Sequence, residues 1–365
     1  MSVTLALAKN STPALSPTLR LGILIPCRDE AAVIERKLRN FALAQWPSSS
    51  RPHRIVVIDD GSGDDTAEIA RRAGRELFDE AEPQATVEVL ANNQRPGKAG
   101  AIATGLEALG SSIELIVLTD ADVILGPDAL KELTRSFAAA PQLGMACGSQ
   151  DFVTDLADDG SPRAQNGGPL KGAPGHYDRW TAVVRSLESR WGALFSVHGQ
   201  LLAWRAELKL SPTPGIAADD IDLMRQTRAL ERDVIKVSAA RFIEVKTPAG
   251  SGRAAQEHRR AQAYFQVMGR CQLPASSSWI ARAHFALYRR LPSAAPLATL
   301  AALLSAAIMP WWIFGPRAAL LVSGLIALGL ASPPGRRVIR LLKVIESARR
   351  AQKTGKLDDR WHMPR

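Results

Sequence analysis

Apolar residues in the first third of the chain fall into short runs, each ending in polar residues. Leu21–Pro26 (Leu-Gly-Ile-Leu-Ile-Pro), Arg54–Asp59 (Arg-Ile-Val-Val-Ile-Asp) and Leu115–Leu118 read as strands of a parallel sheet buried on both faces. Thr86–Leu90 alternates and reads as a further strand. Between these runs the apolar period changes to that of a helix. One segment carries Val33, Ile34, Leu38 and Phe41, a second runs to Arg72 with Asp65 or Thr66 as its cap, and a third spans Gly97–Leu109. Strands and helices in alternation predict an α/β domain whose sheet is wound by right-handed crossovers.

In such a sheet, ligands bind beyond the carboxyl ends of the strands. The run at 115–118 leads into Asp120 and Asp122, two residues apart and so able to face the same crevice in extended backbone. Hard divalent cations favour such oxygens, although a turn with two solvated acids accounts for the pattern equally well. A second acidic turn, Asp59-Asp60-Gly61-Ser62, has acceptors for a base or ribose, or else an Asx cap. In Arg95-Pro96-Gly97-Lys98-Ala99, a lysine at a helix start either reaches a phosphate or lies solvated. No Gly-x-Gly-x-x-Gly follows the first strand and no Gly-Lys-Ser/Thr occurs, so dinucleotide and P-loop readings lose their main supports.

Composition adds a core and an uneven charge. The chain has 365 residues, 46% apolar, and a net charge of +10. Arg336–Arg365 contains ten Lys/Arg and three Asp/Glu, so +7 of that charge sits in one tail. That pattern points to an anionic surface near the tail. Three distant cysteines (Cys27, Cys147, Cys271) form no metal or disulfide pattern, and a reducing compartment is expected. The first 20 residues lack the pattern of a signal peptide and read as a lead-in.

Ile-Pro-Cys-Arg-Asp-Glu (25–30), Val-Ile-Asp-Asp-Gly-Ser (57–62), Arg-Pro-Gly-Lys-Ala (95–99) and Leu-Thr-Asp-Ala-Asp (118–122) occur in one order. Together they resemble the inverting glycosyltransferases of family two, over roughly Leu21–Met268. The resemblance implies the A fold, a Rossmann-like α/β domain with a mostly parallel sheet, and a nucleotide-diphospho-sugar donor. It places Asp60 on the base, Asp29 and Glu30 near the nucleotide, and Lys98 near the nucleotide or donor sugar. Asp120 would support the sugar-nucleotide, and Asp122 would ligate Mg²⁺ or Mn²⁺ across the diphosphate. Asp29 departs from the asparagine more usual in the family.

Farther on, Ser-Val-His-Gly-Gln-Leu-Leu-Ala-Trp-Arg (196–205) resembles the family's acceptor-side segment, with His198 expected to be structural. Ala217–Leu223 opens a helix, where acids are favoured by the macrodipole alone. The resemblance makes Asp220 the catalytic base and Asp219 its neighbour. Gln256–Arg260 resembles the Gln-x-x-Arg-Trp element of polysaccharide synthases, with arginine in place of tryptophan, which argues against processive extension. Arg259 and Arg260 would face the diphosphate, or belong to a basic helix face with Arg253 and Arg270. Asp155–Gly175 reads as a long loop, and Tyr177–Phe195 as a helix.

The carboxyl-terminal part is apolar. Pro296–Phe314, with a kink expected at Pro310, and Ala318–Ala331 are near or below the length of a bilayer span and predict a helical hairpin, with a re-entrant pair or a hydrophobic helical subdomain as alternatives. Arg282, Arg289 and Arg290 precede it, and Arg336, Arg337, Arg340 and Lys343 follow. By the positive-inside rule, the catalytic domain and both termini face the cytoplasm of a multi-pass membrane protein. Trp279, Ile280, Ala283 and Leu287, and later Val338, Leu341, Leu342 and Ile345, form interfacial stripes. No nucleic-acid motif accompanies the basic tail. The expected organisation is a lead-in at 1–20, a catalytic domain at 21–275 and an interfacial helix at 276–292. A membrane hairpin at 293–332 and a basic cytoplasmic tail at 333–365 complete it. The expected activity is hexose transfer from a nucleotide-sugar, expected to be UDP-linked, to a lipid-borne or glycan acceptor. Alternatives are a processive synthase, a polyprenyl-phosphate sugar transferase, and a non-catalytic nucleotide-sugar-binding scaffold.

Overall fold

The computed structural model describes residues 19–79, 83–153, 156, 176–190, 194, 196–214, 216, 218–245, 251–270, 273 and 279–354. Two units emerge, one of residues 1–215 and 219–247 with 360–363, the other chiefly of 248–359.

The first unit is built on eight strands: β1 (Leu21–Cys27), β2 (His53–Asp59), β3 (Ala85–Ala91), β4 (Leu115–Thr119), β5 (Val123–Leu125), β6 (Leu143–Val153), β7 (Leu201–Arg205) and β8 (Asp233–Val245). Their order in the sheet is β3-β2-β1-β4-β7-β6-β8-β5. The first four pair in parallel; β1, β2 and β4 are the continuous apolar runs, and β3, the alternating one, lies at the edge. β7 then enters antiparallel to both β4 and β6, while β6 and β8 run parallel and β5 closes the edge antiparallel to β8. The sheet is therefore mixed, with its parallel half at the amino-terminal end of the chain.

Helices α1 (Ile34–Ala42), α2 (Thr66–Phe78), α3 (Lys98–Leu109), α4 (Ala129–Ala139), α5 (His176–Arg190) and α6 (Asp219–Ala229) complete this unit. Asp65 occupies the cap of α2 but makes no side-chain cap bond; Asp64 instead accepts from the Thr66 backbone N–H at 3.1 Å. α1 shows how pattern becomes packing. Ile34, Leu38 and Phe41 are fully buried in the core with Ile23, Ile25 and Val117, and each contributes about 1.5–3 kcal/mol. Lys37 lies on the same stripe and is also fully buried.

α3 approaches the preceding turn so closely that glycine is required at position 100. A Cβ there would lie 1.8 Å from the Arg95 carbonyl oxygen, which is backbone and cannot swing aside. Gly100→Ala is expected to destabilise the protein by about 1–3 kcal/mol in urea unfolding, by displacing the 92–97 turn.

The second unit consists of helices α7 (Ser251–Arg270), α8 (Trp279–Phe314), α9 (Pro316–Ala331) and α10 (Pro333–Thr354). α8 runs unbroken through Pro292, Pro296 and Pro310, joining the interfacial and apolar segments into one 36-residue helix. Within it Arg282–Phe314, 33 residues with mean hydropathy 1.8, is long and apolar enough to cross a membrane. α9 and α10 form a bent pair, 77° apart, that meets the same criterion only jointly. Leu297, Leu300, Leu304, Ile308, Trp312 and Phe314 are all more than half exposed. The Tyr264 hydroxyl donates to the Tyr288 carbonyl, and His258 pairs with Ser347, tying α7 to α8 and α10. The glycine- and proline-rich stretch expected at Asp155–Gly175 lies outside the described residues, Leu156 excepted.

Candidate active site

The carboxyl ends of β1, β2 and β4 gather the acidic residues. β4 ends at Thr119, so Asp120, Ala121 and Asp122 form the turn into β5. Lys98, the first residue of α3, reaches across to this turn. Its ammonium donates to Asp120 at 2.6 Å and lies 3.8 Å from Asp219. Three residues from distant parts of the sequence, 98, 120 and 219, thus meet around one charge. Burial opposes that charge, but Asp120 and Asp219 outweigh it and hold the ammonium above its usual range.

Two carboxyls are crowded on the β1 side. Burial, then Asp122 and Asp120, push Glu30 up to about 8. Asp122 is exposed at the turn, and partial desolvation by its surroundings, followed by Asp120, raises its carboxyl. Acidic side chains gathered at one turn are a setting in which a divalent cation is held. Among the described residues, no three His, Cys, Asp or Glu side chains form a ready metal cage. A cation here would take protein oxygen from one or two carboxylates and the rest from a diphosphate, a habit of Mg²⁺.

Asp60 has a constructional task as well as any ligand it meets. It is buried, accepts the Gly97 N–H on both oxygens (3.0 and 2.8 Å) and accepts Asn92 Nδ2 at 2.6 Å. Arg28 stands 3.8 Å away. Gly97 has φ 121°, a conformation that favours glycine, and immediately precedes Lys98. Asp60 thereby sets the turn that aims the lysine. A carboxylate has about four acceptor positions, so capacity remains for a base. Asp60→Ala is expected to weaken binding of UDP or GDP by about 10–100-fold in calorimetry, the loss of a charged hydrogen bond of about 1.5–3 kcal/mol.

Asp29 is engaged locally. It has φ 56°, its carboxylate accepts the Gly63 N–H at 2.7 Å, and its own N–H donates to Ser62. It fastens the β1 turn to the β2 turn.

At the start of α6 the two candidate acids differ. Asp219 is buried against Lys98, and burial raises its carboxyl. Asp220 is partly exposed, accepts the Ile221 N–H at 2.8 Å, and faces Gly199 so closely that a Cβ there would lie 3.2 Å from its own. Burial, then Asp219, push Asp220 up to about 6. Asp222, by contrast, is a fully buried anchor for Thr213, Arg225 and Gln226.

His198 is held neutral. Arg185 offers only donors, so His198 Nε2 accepts at 3.0 Å, and burial, then Arg185 and Lys236, pull its pKa down to about 3. Arg259 and Arg260 lie on α7 in the second unit; Arg260 is exposed, and the side chain of Arg259 is outside the described residues.

Sequence reasoning missed Lys37, Asn92 and Arg28. Lys37 donates to Thr119 Oγ1 (2.8 Å) and the Val123 carbonyl (2.9 Å), with the Phe41 ring 5.3 Å away. Burial pulls its ammonium down to about 7 against Asp120 and Asp122. Its signal was a lysine on the apolar stripe of Ile34, Leu38 and Phe41, where helical spacing calls for a core residue.

A mixed sheet of this order, with acids gathered at the carboxyl end of β4, is the glycosyltransferase A fold. Residues 17–263 match the family model described as glycosyltransferase-like family 2, and the chain belongs to that family. A poly-β-1,6-N-acetyl-D-glucosamine synthase of Staphylococcus epidermidis is 25% identical over 181 residues, 49% of this chain and 38% of that protein. The corresponding synthase of Staphylococcus aureus (strain COL) is 29% identical over 126 residues, 34% and 27% of the two chains. The chain thus matches well under half the length of these relatives. Among solved structures, the mannosyltransferase PcManGT of Pyrobaculum calidifontis, in complex with GDP-Man and Mn²⁺, superimposes with a TM-score of 0.68. The identity is 24%, and the match covers 96% of this chain and 92% of that one.

Proposed function

We propose that this glycosyltransferase is an inverting, metal-dependent hexosyltransferase, anchored in the membrane, with its active site and both termini on the cytoplasmic side. It takes a nucleotide-diphospho-sugar, UDP-linked by the first reading, and delivers the hexose to a lipid-borne or glycan acceptor. The observation that carries this is the meeting of Lys98, Asp120 and Asp219 at 2.6 and 3.8 Å, beside the partly open Asp220.

In this reading Asp60 accepts from the base and aims Lys98 through Gly97. Lys98 and the Asp120–Asp122 turn orient the donor between them. Mg²⁺ or Mn²⁺, held by Asp122 and a diphosphate, would supply charge stabilisation to the departing nucleoside diphosphate. Asp220 accepts the acceptor hydroxyl's proton as that oxygen attacks the anomeric carbon. Attack opposite the leaving group inverts the configuration. The apolar, exposed surface of α8 and α9 supports the membrane anchor, and the basic face of α10 suits anionic lipid.

A processive polysaccharide synthase is the second reading, favoured by the synthases among the relatives. The arginine at 260 in place of tryptophan weighs against it. One experiment addresses both. Membranes containing the protein are given a panel of UDP- and GDP-sugars, with and without EDTA, and released nucleoside diphosphate and product length are measured. Release from one donor, lost with EDTA and giving a single-sugar product, supports the proposal. Long polymer favours the second reading. No release and no donor binding across the panel overturns both.

A further inference from the structure

The turn carrying Asp120 and Asp122 is held from behind by one side chain. Lys37 projects from α1 and donates to Thr119 Oγ1, immediately before Asp120, and to the Val123 carbonyl, immediately after Asp122. The three residues between those acceptors are spanned by a single amine. One turn along the same helix, Asn40 repeats the arrangement on β5. Its Nδ2 donates to the Leu125 carbonyl and its Oδ1 accepts the Leu125 N–H, both at 2.9 Å. α1 thus grips the strand–turn–strand unit at three residues, 119, 123 and 125.

A lysine this deeply buried needs a reason, because lysine is almost never fully buried without partners. Lys37 is fully buried, and its hydrogen-bond partners are two neutral oxygens with an aromatic ring alongside. Both acceptors can be satisfied whether the amine carries two protons or three, so the tie does not require its charge. An apolar residue would fill the space on the stripe equally well but would leave the Val123 carbonyl without this donor. The turn also needs restraint. A divalent cation shared with a diphosphate needs its carboxylate at a fixed place.

We propose that Lys37 is a positioning residue for the acidic turn, fixing the spacing of Asp120 and Asp122 so that a divalent cation and a nucleoside diphosphate bind there together. The proposal rests on the assignment of metal binding to Asp122. Thr119 extends the tie to the acceptor-side segment, because its hydroxyl also donates to the Gln200 carbonyl at 2.8 Å. One amine therefore connects α1 to the turn and, through Thr119, to the strand entering β7.

The test uses the full chain purified in detergent, with Mn²⁺ titrated in the presence of UDP and, separately, GDP, and free Mn²⁺ read by electron paramagnetic resonance. Lys37→Met keeps the apolar stem and removes the donor. Binding of Mn²⁺ with the nucleotide is expected to weaken at least tenfold in this variant while its thermal unfolding stays cooperative. A purely packing role predicts a shifted melting temperature and unchanged Mn²⁺ affinity. Affinity within twofold of the parent, in folded Lys37→Met, overturns the proposal. Should that variant not fold, Thr119→Val decides: at least threefold weaker Mn²⁺ binding supports the tie, and parental affinity overturns it. Asp122→Ala separates the two layers. Its loss of Mn²⁺ alongside normal Lys37→Met binding removes only the role of Lys37. Retention of Mn²⁺ by Asp122→Ala removes the metal assignment, and the role of Lys37 with it.

Discussion

Asp220→Asn is expected to lower kcat at least about a hundredfold and by up to about 10⁴-fold, the range associated with a lost general base, while donor KM changes little. Asparagine keeps the shape and can still accept the Ile221 N–H that positions the side chain. It cannot take a proton at neutral pH. The environment suits the task, since burial, then the neighbouring Asp219, push Asp220 up to about 6. A base near that value is deprotonated at pH 7 and still has affinity for a proton. The sign of the pH effect follows: kcat/KM of the parent rises with pH through about 6 and falls away below it, as the carboxylate is protonated. Asp219→Asn separates the two acids. Asp219 is bound to Lys98, which in turn holds Asp120, so its loss is expected in donor KM more than in kcat. The reverse pattern, with Asp219→Asn removing the acid limb of the pH profile, would transfer the base to Asp219.

Asp122→Ala is expected to cost about 10²–10⁴-fold in kcat/KM, in keeping with the several kcal/mol a bound metal supplies to a developing anion. Residual activity would no longer respond to EDTA. Folding is expected to survive, because Asp122 is an exposed turn residue. Asp122 is the largest charged contributor to the raised Glu30 carboxyl. Titration of Glu30 by carbon-detected NMR should therefore move below about 8 in this variant, with burial and Asp120 still holding it above the ordinary carboxylate range. Full, EDTA-sensitive activity in folded Asp122→Ala would remove Asp122 from metal binding.

The two variants also distinguish catalysis from scaffolding. A nucleotide-sugar-binding scaffold would lose nothing measurable with Asp220→Asn, because that carboxyl then serves no proton transfer. The proposed transferase loses turnover while still binding donor. Donor binding measured in parallel by calorimetry gives the comparison its force.

Periodicity carried most of the parallel half of the sheet. β1, β2, β3 and β4 begin and end within a residue or so of the patterns that announced them, because β1, β2 and β4, buried on both faces, must be apolar throughout, and β3 at the edge alternates. The mixed half was not legible in the same way. β6 and β8 are long, bend, and shift register between Leu143 and Met145 and again between Cys147 and Ser149, so neither shows a regular alternation. β5 has only three residues, too few to carry a period. At the carboxyl end, Pro310 suggested a kink, yet α8 continues through it and through Pro292 and Pro296. Prolines 292 and 296, four apart, lie on one side of that helix.

Sequence alone determined the acidic and basic groups and their places at the ends of strands, since each stands where an apolar run stops. It determined as well that Asp60 belongs to a turn and that Lys98 opens a helix behind one, because glycine marks both. Tertiary structure decided which of them meet. Lys98 lies between Asp120 and Asp219, residues 22 and 121 positions away, because β4 sits beside β7 and not beside the strand that precedes it in the chain. It likewise decided that Asp60 holds a turn, that Asp29 is spent on Gly63, and that a lysine on an apolar stripe supports the acidic turn from behind. Periodicity reports which side of an element avoids water. Only the folded sheet sets which polar groups, left at its ends, come within reach of one another.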